Sequence, residues 1–159
     1  MIDSPQTIVE PPFHKFRKAI ANREFLITAE VSPPKGSDPT HMLEQTRSLK
    51  GRVHAVNITD SSRAVMSMSP VAASVLIQQQ IGIETVCQLA CRDRNRIALQ
   101  GDLLGAAALG ITNILALTGD PVKAGDSPEA RSVFDYESVR LLQLVQKLNQ
   151  GIDANGKAL

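Results

Sequence analysis

Four short apolar runs recur along the chain at intervals of about thirty residues. They are FLITAEV at 25–31, VHAVNIT at 53–59, IETVCQLA at 83–90 and ITNILALT at 111–118. Each run has the length and the β-branched or apolar content of a buried strand. Helical patterns fill the intervals between the runs. Such alternation predicts a parallel sheet with helices packed on it.

The helical patterns have recognisable boundaries. Oxygen-bearing residues that favour a helix start, sometimes followed by proline, predict starts at Asp38, Ser69, Asp93 and Asp135. Glycine favours the position after a last helical turn, and the four patterns end near Gly51, Gly82, Gly110 and Gly151. A further helix is expected within 11–22, which makes the element order α-(βα)×4.

Polar residues at the strand ends indicate how the sheet is wound. Glu30, Thr59, Gln88 and Thr118 end or nearly end the four strands, at spacings of 29, 29 and 30 residues. We expect them to share one face that is apolar lower down, as in a (βα)8 barrel. A doubly wound sheet is the alternative, with a site at one switch point. The glycine-rich phosphate-binding patterns of that fold are absent from the sequence.

Glu30 is an acid in a run that otherwise predicts a strand hidden on both faces. A buried carboxylate without a partner costs several kcal/mol or takes up a proton. Glu30 is therefore either a strand-end acid that meets solvent or Lys35, or a functional group. Asp120, in LTGDP after the fourth strand, would face the same cavity, so the two carboxylates could divide acid and base roles.

Two other segments have open interpretations. Arg92, Arg94 and Arg96 precede a helix, so either a bound anion or local pairing to Asp93 would compensate their charge. The connection from Asp120 to about Phe134 is long for a strand-to-helix loop, which makes it a candidate functional loop.

Composition limits the function classes. With 159 residues and 43% hydrophobic content, the chain can form one domain with a real core. A net charge of +1 and the lack of tryptophan argue against a nucleic-acid partner, and no apolar run is long enough for a membrane span. Cys87 and Cys91 are expected to be buried reduced thiols of a cytoplasmic protein, and no metal site is expected.

The segments ITAEVSPPKG, VNITDSSRA, CRDRN, LLGAAALGITNILALTGDP and SVFDYESV together resemble the methylenetetrahydrofolate reductase family, most closely the branch also found fused to homocysteine methyltransferases. The resemblance runs from about residue 23 to 151. It implies a flavin-dependent (βα)8 barrel that passes a hydride from NAD(P)H through FAD to 5,10-methylenetetrahydrofolate, giving 5-methyltetrahydrofolate.

The resemblance also implies roles for single residues. Glu30 matches the general acid that helps to open the methylene bridge, and Asp120 matches the aspartate beside flavin and folate. Both would therefore be catalytic and substrate-binding residues. The residues that match cofactor contacts are Thr59, Asp60, Ser62, Gln88, Thr118, Gly119, Asp120 and Phe134. Gln88, Thr118 and Phe134 stand where many members have histidine, arginine and tyrosine.

A (βα)8 barrel needs about 250 residues. We therefore expect an N-terminal extension and helix at 1–22, and the first four βα units of a flavin-binding barrel at 23–159. A homo-oligomer is expected. Two alternatives stay open: a pterin-binding methyltransferase barrel without flavin, and a non-catalytic half-barrel that associates with itself or with a missing half.

Overall fold

One four-stranded parallel sheet organises residues 15–159, the part of the chain that a computed structural model describes. Its strands are β1 (Thr28–Val31), β2 (Ala55–Ile58), β3 (Thr85–Ala90) and β4 (Ile114–Leu117). They lie in the order β1-β2-β3-β4, and every neighbouring pair is parallel. In a doubly wound sheet the order of the strands along the sheet reverses at a switch point. The sequential order therefore confirms the predicted α/β class with barrel-type winding.

Five α-helices accompany the strands in the described residues: α1 (Lys15–Ala21), α2 (Thr40–Leu49), α3 (Pro70–Gln80), α4 (Arg96–Ala108) and α5 (Ser138–Asn149). One of α2 to α5 follows each strand, as the alternating pattern predicted. The expected helix within 11–22 is confirmed from Lys15, whereas the rest of the predicted extension, 1–14, lies outside the described residues. None of these helices is long and apolar enough to cross a membrane.

Two predicted helix starts are wrong by a few residues. Helix α4 begins at Arg96 rather than near Asp93, because the Asn95 side chain accepts hydrogen bonds from the first-turn amides. Helix α5 begins at Ser138 rather than near Asp135, because Glu137 caps it in the same way. The carboxylates of Asp93 and Asp135 bind arginines instead.

The predicted helix ends are confirmed by backbone conformation. Gly51, Gly82, Gly110 and Gly151 follow helices α2 to α5, with φ between 73° and 82°. Residues with a side chain rarely adopt this left-handed conformation, whereas glycine adopts it without a steric penalty. The chain therefore turns sharply after each of these helices, and after α2, α3 and α4 it returns to the sheet.

The core lies between one face of the sheet and the helices. Val31, Val56 and Ile58 pack with residues of α2 and α3, whereas Leu89 and Cys91 pack with α4 and α5. The opposite face is more open in the described structure. It carries Thr28 and Glu30 of β1, together with Leu115 of β4, which is 41% exposed.

The first strand differs from its prediction. It begins at Thr28, where pairing with β2 starts, and Phe25 is 87% exposed. Exposure alternates along β1, so the expectation that this strand hides both faces is wrong. The physical reason is that the helices pack on one face of the described sheet, so Val31 is buried there and the alternate residues face outwards. Glu30 lies on the uncovered face.

Candidate active site

The carboxyl ends of the four strands share one edge of the sheet, and four connections follow from it. They are 32–39 after β1, 59–69 after β2, 91–95 after β3 and 118–137 after β4. In a parallel α/β fold this edge is where ligands bind, because the strand-to-helix loops converge there. All the predicted site residues lie on this edge or in these loops.

Glu30 lies at this edge with an exposed side chain, next to Asn57 in the strand register. Asn57 donates to Thr28 Oγ1 at 3.0 Å and so leaves the Glu30 carboxylate uncommitted. Within residues 15–159, no hydrogen bond or ion pair engages Glu30. The alternative that Lys35 neutralises it is wrong, because Lys35 Nζ binds Asp126 at 2.9 Å. An exposed carboxylate at the strand end is available to a ligand.

Thr59 and Asp60, at the end of β2, are buried, with 2% and 6% exposure. The Thr59 hydroxyl donates to Ser32 Oγ at 3.3 Å. Asp60 Oδ2 accepts hydrogen bonds from Ala90 N at 2.8 Å and from Arg94 Nη1 at 2.7 Å. Asp60 thus joins the end of β2 to the end of β3 and to the loop between β3 and α4.

The three arginines after β3 each bind a carboxylate. Arg92 pairs with Asp93 at 2.6 Å, and Arg94 pairs with Asp60. Arg96 pairs with Asp135 at 2.7 Å and holds the pKa of that carboxyl well below its usual range. Pairing therefore compensates all three charges, and of the two sequence interpretations it is the one the geometry supports. The pairing extends beyond Asp93 to the β2 and β4 loops.

Gln88 and Thr118 lie on opposite faces of the sheet. Gln88 pairs in register with Leu115, on the face that carries Glu30. Thr118 lies one residue beyond Leu117 and turns towards α5, where its hydroxyl accepts from Ser138 N at 3.1 Å. The prediction that Thr118 shares the Glu30 face is therefore wrong. Gln88 was expected to lie level with Thr118, but its register partner Leu115 is three residues earlier. Because side chains alternate between the two faces of a sheet, this odd offset places Thr118 on the other face.

A cavity of about 550 Å³ opens beside the end of β4. Three predicted cofactor residues, Thr118, Gly119 and Phe134, line it, together with Asp135, Tyr136, Glu137 and Arg140. Gly119 has φ of 98°, and an added Cβ would lie 2.9 Å from Arg92 Cβ, so this position requires glycine. Glycine thus lets the chain after β4 pack closely against Arg92 at the border of the cavity.

Asp120, after β4, contacts the loop that carries Ser62, after β2. Asp120 Oδ2 accepts a hydrogen bond from the backbone N–H of Arg63 at 2.9 Å, and Ser62 precedes that residue in a short 3-10 turn. Both side chains are exposed. Glu30 lies in β1 and Asp120 follows β4, the two outermost strands of the described sheet, which are three strand spacings, about 14 Å, apart. The two acids therefore approach the same edge from its two sides.

A family model described as "Methylenetetrahydrofolate reductase" matches residues 15–156. The chain belongs to the methylenetetrahydrofolate reductase family. It is also similar to "Methylenetetrahydrofolate reductase 1" of Schizosaccharomyces pombe, with 32% identity over 112 residues. The match covers 69% of this chain and 19% of that relative, so the chain spans a minor part of the relative's length.

Family membership agrees with the barrel-type winding and with the resemblance in the loop motifs. Two features of the site were missed by sequence reasoning. One is the Lys35–Asp126 ion pair, whose partners are 91 residues apart. The other is the buried Asp60–Arg94 pair, because the sequence predicts only a bound anion or Asp93 as the partner of this arginine. Neither pair leaves a local pattern, because each depends on the path of two loops.

Proposed function

We propose that this chain contributes to the FAD-dependent reduction of 5,10-methylenetetrahydrofolate to 5-methyltetrahydrofolate, with NAD(P)H as the hydride donor. The observation that carries the proposal is the uncommitted Glu30 carboxylate at the carboxyl edge of the sheet, in a chain of this family. A soluble folate is the substrate class, and FAD and NAD(P)H are the cofactor and co-substrate.

Glu30 acts as the general acid in this proposal. It donates a proton to the substrate nitrogen that leaves the methylene carbon, so the bridge opens to a reactive iminium. Its place on the uncovered sheet face, with no described residue competing for the carboxylate, suits this transfer. Asp120 approaches from the other side and binds the folate while its negative charge acts on the neighbouring cofactor.

FAD, when bound, supplies the hydride transfer between the nicotinamide and the folate. The cavity of about 550 Å³ at Thr118, Gly119 and Phe134 has the size for part of a flavin nucleotide, and the exposed aromatic side chain of Phe134 lines it. Thr118 also holds the start of α5, so its hydroxyl would serve both helix and ligand.

The remaining cofactor residues have different availability. Gln88 and Ser62 present accessible polar groups towards the carboxyl edge. Thr59 and Asp60 are buried and bind Ser32, Ala90 and Arg94. We therefore propose that Asp60 holds the loop that carries Ser62 in place. Thr59 would contact the cofactor from its buried position at the end of β2.

A decisive experiment replaces Glu30 with glutamine in the complete protein. Glu30→Gln keeps the shape and removes the proton, so FAD should stay bound and reducible by NAD(P)H. Folate reduction should fall by at least about 10²-fold, the usual effect of losing a general acid. Glu44→Gln is the matched control, because Glu44 is an exposed acid on α2, away from the strand ends. Parent-rate folate reduction by Glu30→Gln would contradict the assignment.

The two alternatives give different results in the same preparation. A pterin-binding methyltransferase barrel would purify without visible flavin absorbance and would not oxidise NAD(P)H. A non-catalytic half-barrel would associate through the open sheet face, where Leu115 is 41% exposed, and would reduce no folate. The same exposed face supports the proposed homo-oligomer. Two buried free cysteines are compatible with the reducing cytoplasm that we propose as its location.

A further inference from the structure

The loop after β4, residues 118–137, is attached to each of the other three strand-to-helix loops. Asp126 binds Lys35 of the β1 loop, and Asp120 accepts a hydrogen bond from the Arg63 amide of the β2 loop. Val133 N donates to a carbonyl of the β3 loop at 2.7 Å. The β4 loop therefore crosses the whole carboxyl edge of the described sheet.

Asp126 makes two of these attachments with one side chain. Its Oδ2 lies 2.9 Å from Lys35 Nζ, and its Oδ1 accepts from the backbone N–H of Met66 at 3.0 Å. The lysine keeps the pKa of Asp126 below its ordinary value of 3.8, with the Met66 amide adding to the effect. One carboxylate thus connects the loops after β1, β2 and β4.

The backbone next to Asp126 packs closely against the β2 loop. A Cβ placed on Gly125 would lie 1.7 Å from the carbonyl oxygen of Ala64. Ser61, Arg63 and Ala64 all have φ between 46° and 57°, a left-handed conformation that is unfavourable for residues with side chains. Contacts from the β4 loop must therefore offset the strain of this turn, and the two loops depend on each other.

We infer that Asp126 is a positioning residue that holds Asp120 in place relative to Glu30 by connecting the β4 loop to Lys35 and Met66. Glu30 lies five residues before Lys35, and Asp120 lies six residues before Asp126. Their strands are at opposite edges of the described sheet, so no direct strand pairing joins them. The Asp126 contacts supply the short connection instead. The catalytic part of this inference rests on the proposed function, whereas the structural part does not.

Loss of these contacts should free the β4 loop and, with it, the Asp120 carboxylate. The Arg63 amide, which donates to Asp120, should then exchange its hydrogen faster. In the complete protein, kcat for folate reduction should fall about ten-fold while FAD content stays the same. A displacement of about 1 Å at a catalytic group can cost up to about 10²-fold.

The experiment compares four variants of the complete protein. Asp126→Ala removes both contacts, whereas Asp126→Asn and Lys35→Met each remove the ion pair and leave an oxygen that can accept from Met66 N. Glu129→Gln is the matched control, since it removes one negative charge from the same exposed loop. Hydrogen exchange at the Arg63 amide is measured for all four, and circular dichroism shows which variants fold.

The expected order of Arg63 exchange rates is Asp126→Ala fastest, Asp126→Asn and Lys35→Met intermediate, and Glu129→Gln equal to the parent. The variants should rank in the same order by the increase in Arg63 exchange rate and by the decrease in kcat. Parent-like Arg63 exchange in Asp126→Ala would overturn the inference, as would an equal effect of Glu129→Gln. If the parent protein reduces no folate, the proposed function fails, and the exchange measurement still decides the role of Asp126.

Discussion

The buried ion pair between Arg94 and Asp60 predicts a large stability effect. Arg94→Met removes the guanidinium and keeps a long, flexible apolar side chain. The Asp60 side chain is 3% exposed and that of Arg94 is 17% exposed, so the pair lies largely out of water. Breaking a buried pair on one side costs about 3–5 kcal/mol, because the remaining charge is left without its partner.

Two contacts adjust this figure. Asp60 keeps the hydrogen bond from Ala90 N at 2.8 Å, which offsets part of the loss. Asp102, the other partner of Arg94, has a side chain that is 42% exposed and can be hydrated instead. We therefore expect Arg94→Met to lower the free energy of unfolding by about 3 kcal/mol, the lower end of that range. With a urea dependence of about 2 kcal/mol per M, the unfolding midpoint falls by about 1.5 M.

Urea unfolding followed by far-ultraviolet circular dichroism measures the midpoint. Arg47→Met is the matched control, because Arg47 is exposed on α2 and makes no ion pair within residues 15–159. It should shift the midpoint little. Asp60→Asn, which keeps an oxygen for Ala90 N, should fall between the two. A midpoint for Arg94→Met within about 0.3 M of that for Arg47→Met would refute the reasoning, since this corresponds to the small effects of surface substitutions.

Three further predictions concern the site and its supporting elements. Asp120→Asn keeps an oxygen for the Arg63 amide, so the fold should persist while folate affinity and the flavin reduction potential change. Folate titration and a redox measurement test this, and two unchanged values would exclude the proposed role. Asn95→Ala removes the cap that accepts from two amides of α4 and should cost about 1 kcal/mol in urea unfolding, and an unchanged midpoint would contradict it. Burial raises the pKa of the Cys87 thiol to about 11 from 9.0, so at pH 8 its thiolate is about 100-fold scarcer than in the unfolded chain. A disulfide reagent should therefore label native Cys87 far more slowly than the urea-unfolded protein, whereas equal rates would show that the thiol is accessible.

The sequence alone determined the layout of the chain. Apolar runs at a thirty-residue interval gave the four strands, and Gly51, Gly82, Gly110 and Gly151 marked the helix ends. These features are local, because strand and helix periodicity and the left-handed conformation of glycine depend on neighbouring residues. The loop motifs also sufficed for the family. They also predicted that Glu30 and Asp120 lie at the carboxyl edge of the sheet.

Only the tertiary structure decided which side chains meet. Helices cover only one face of the described sheet, which left Glu30 exposed, and a three-residue offset from the register partner of Gln88 turned Thr118 towards α5. Lys35 forms an ion pair with Asp126 rather than with Glu30, and Arg94 forms one with Asp60. Ion pairs between loops join residues 34 to 91 positions apart, so their partners depend on how the loops cross the sheet edge. Local sequence patterns do not predict how the loops cross, because the charge of a residue does not specify which opposite charge the fold will bring beside it.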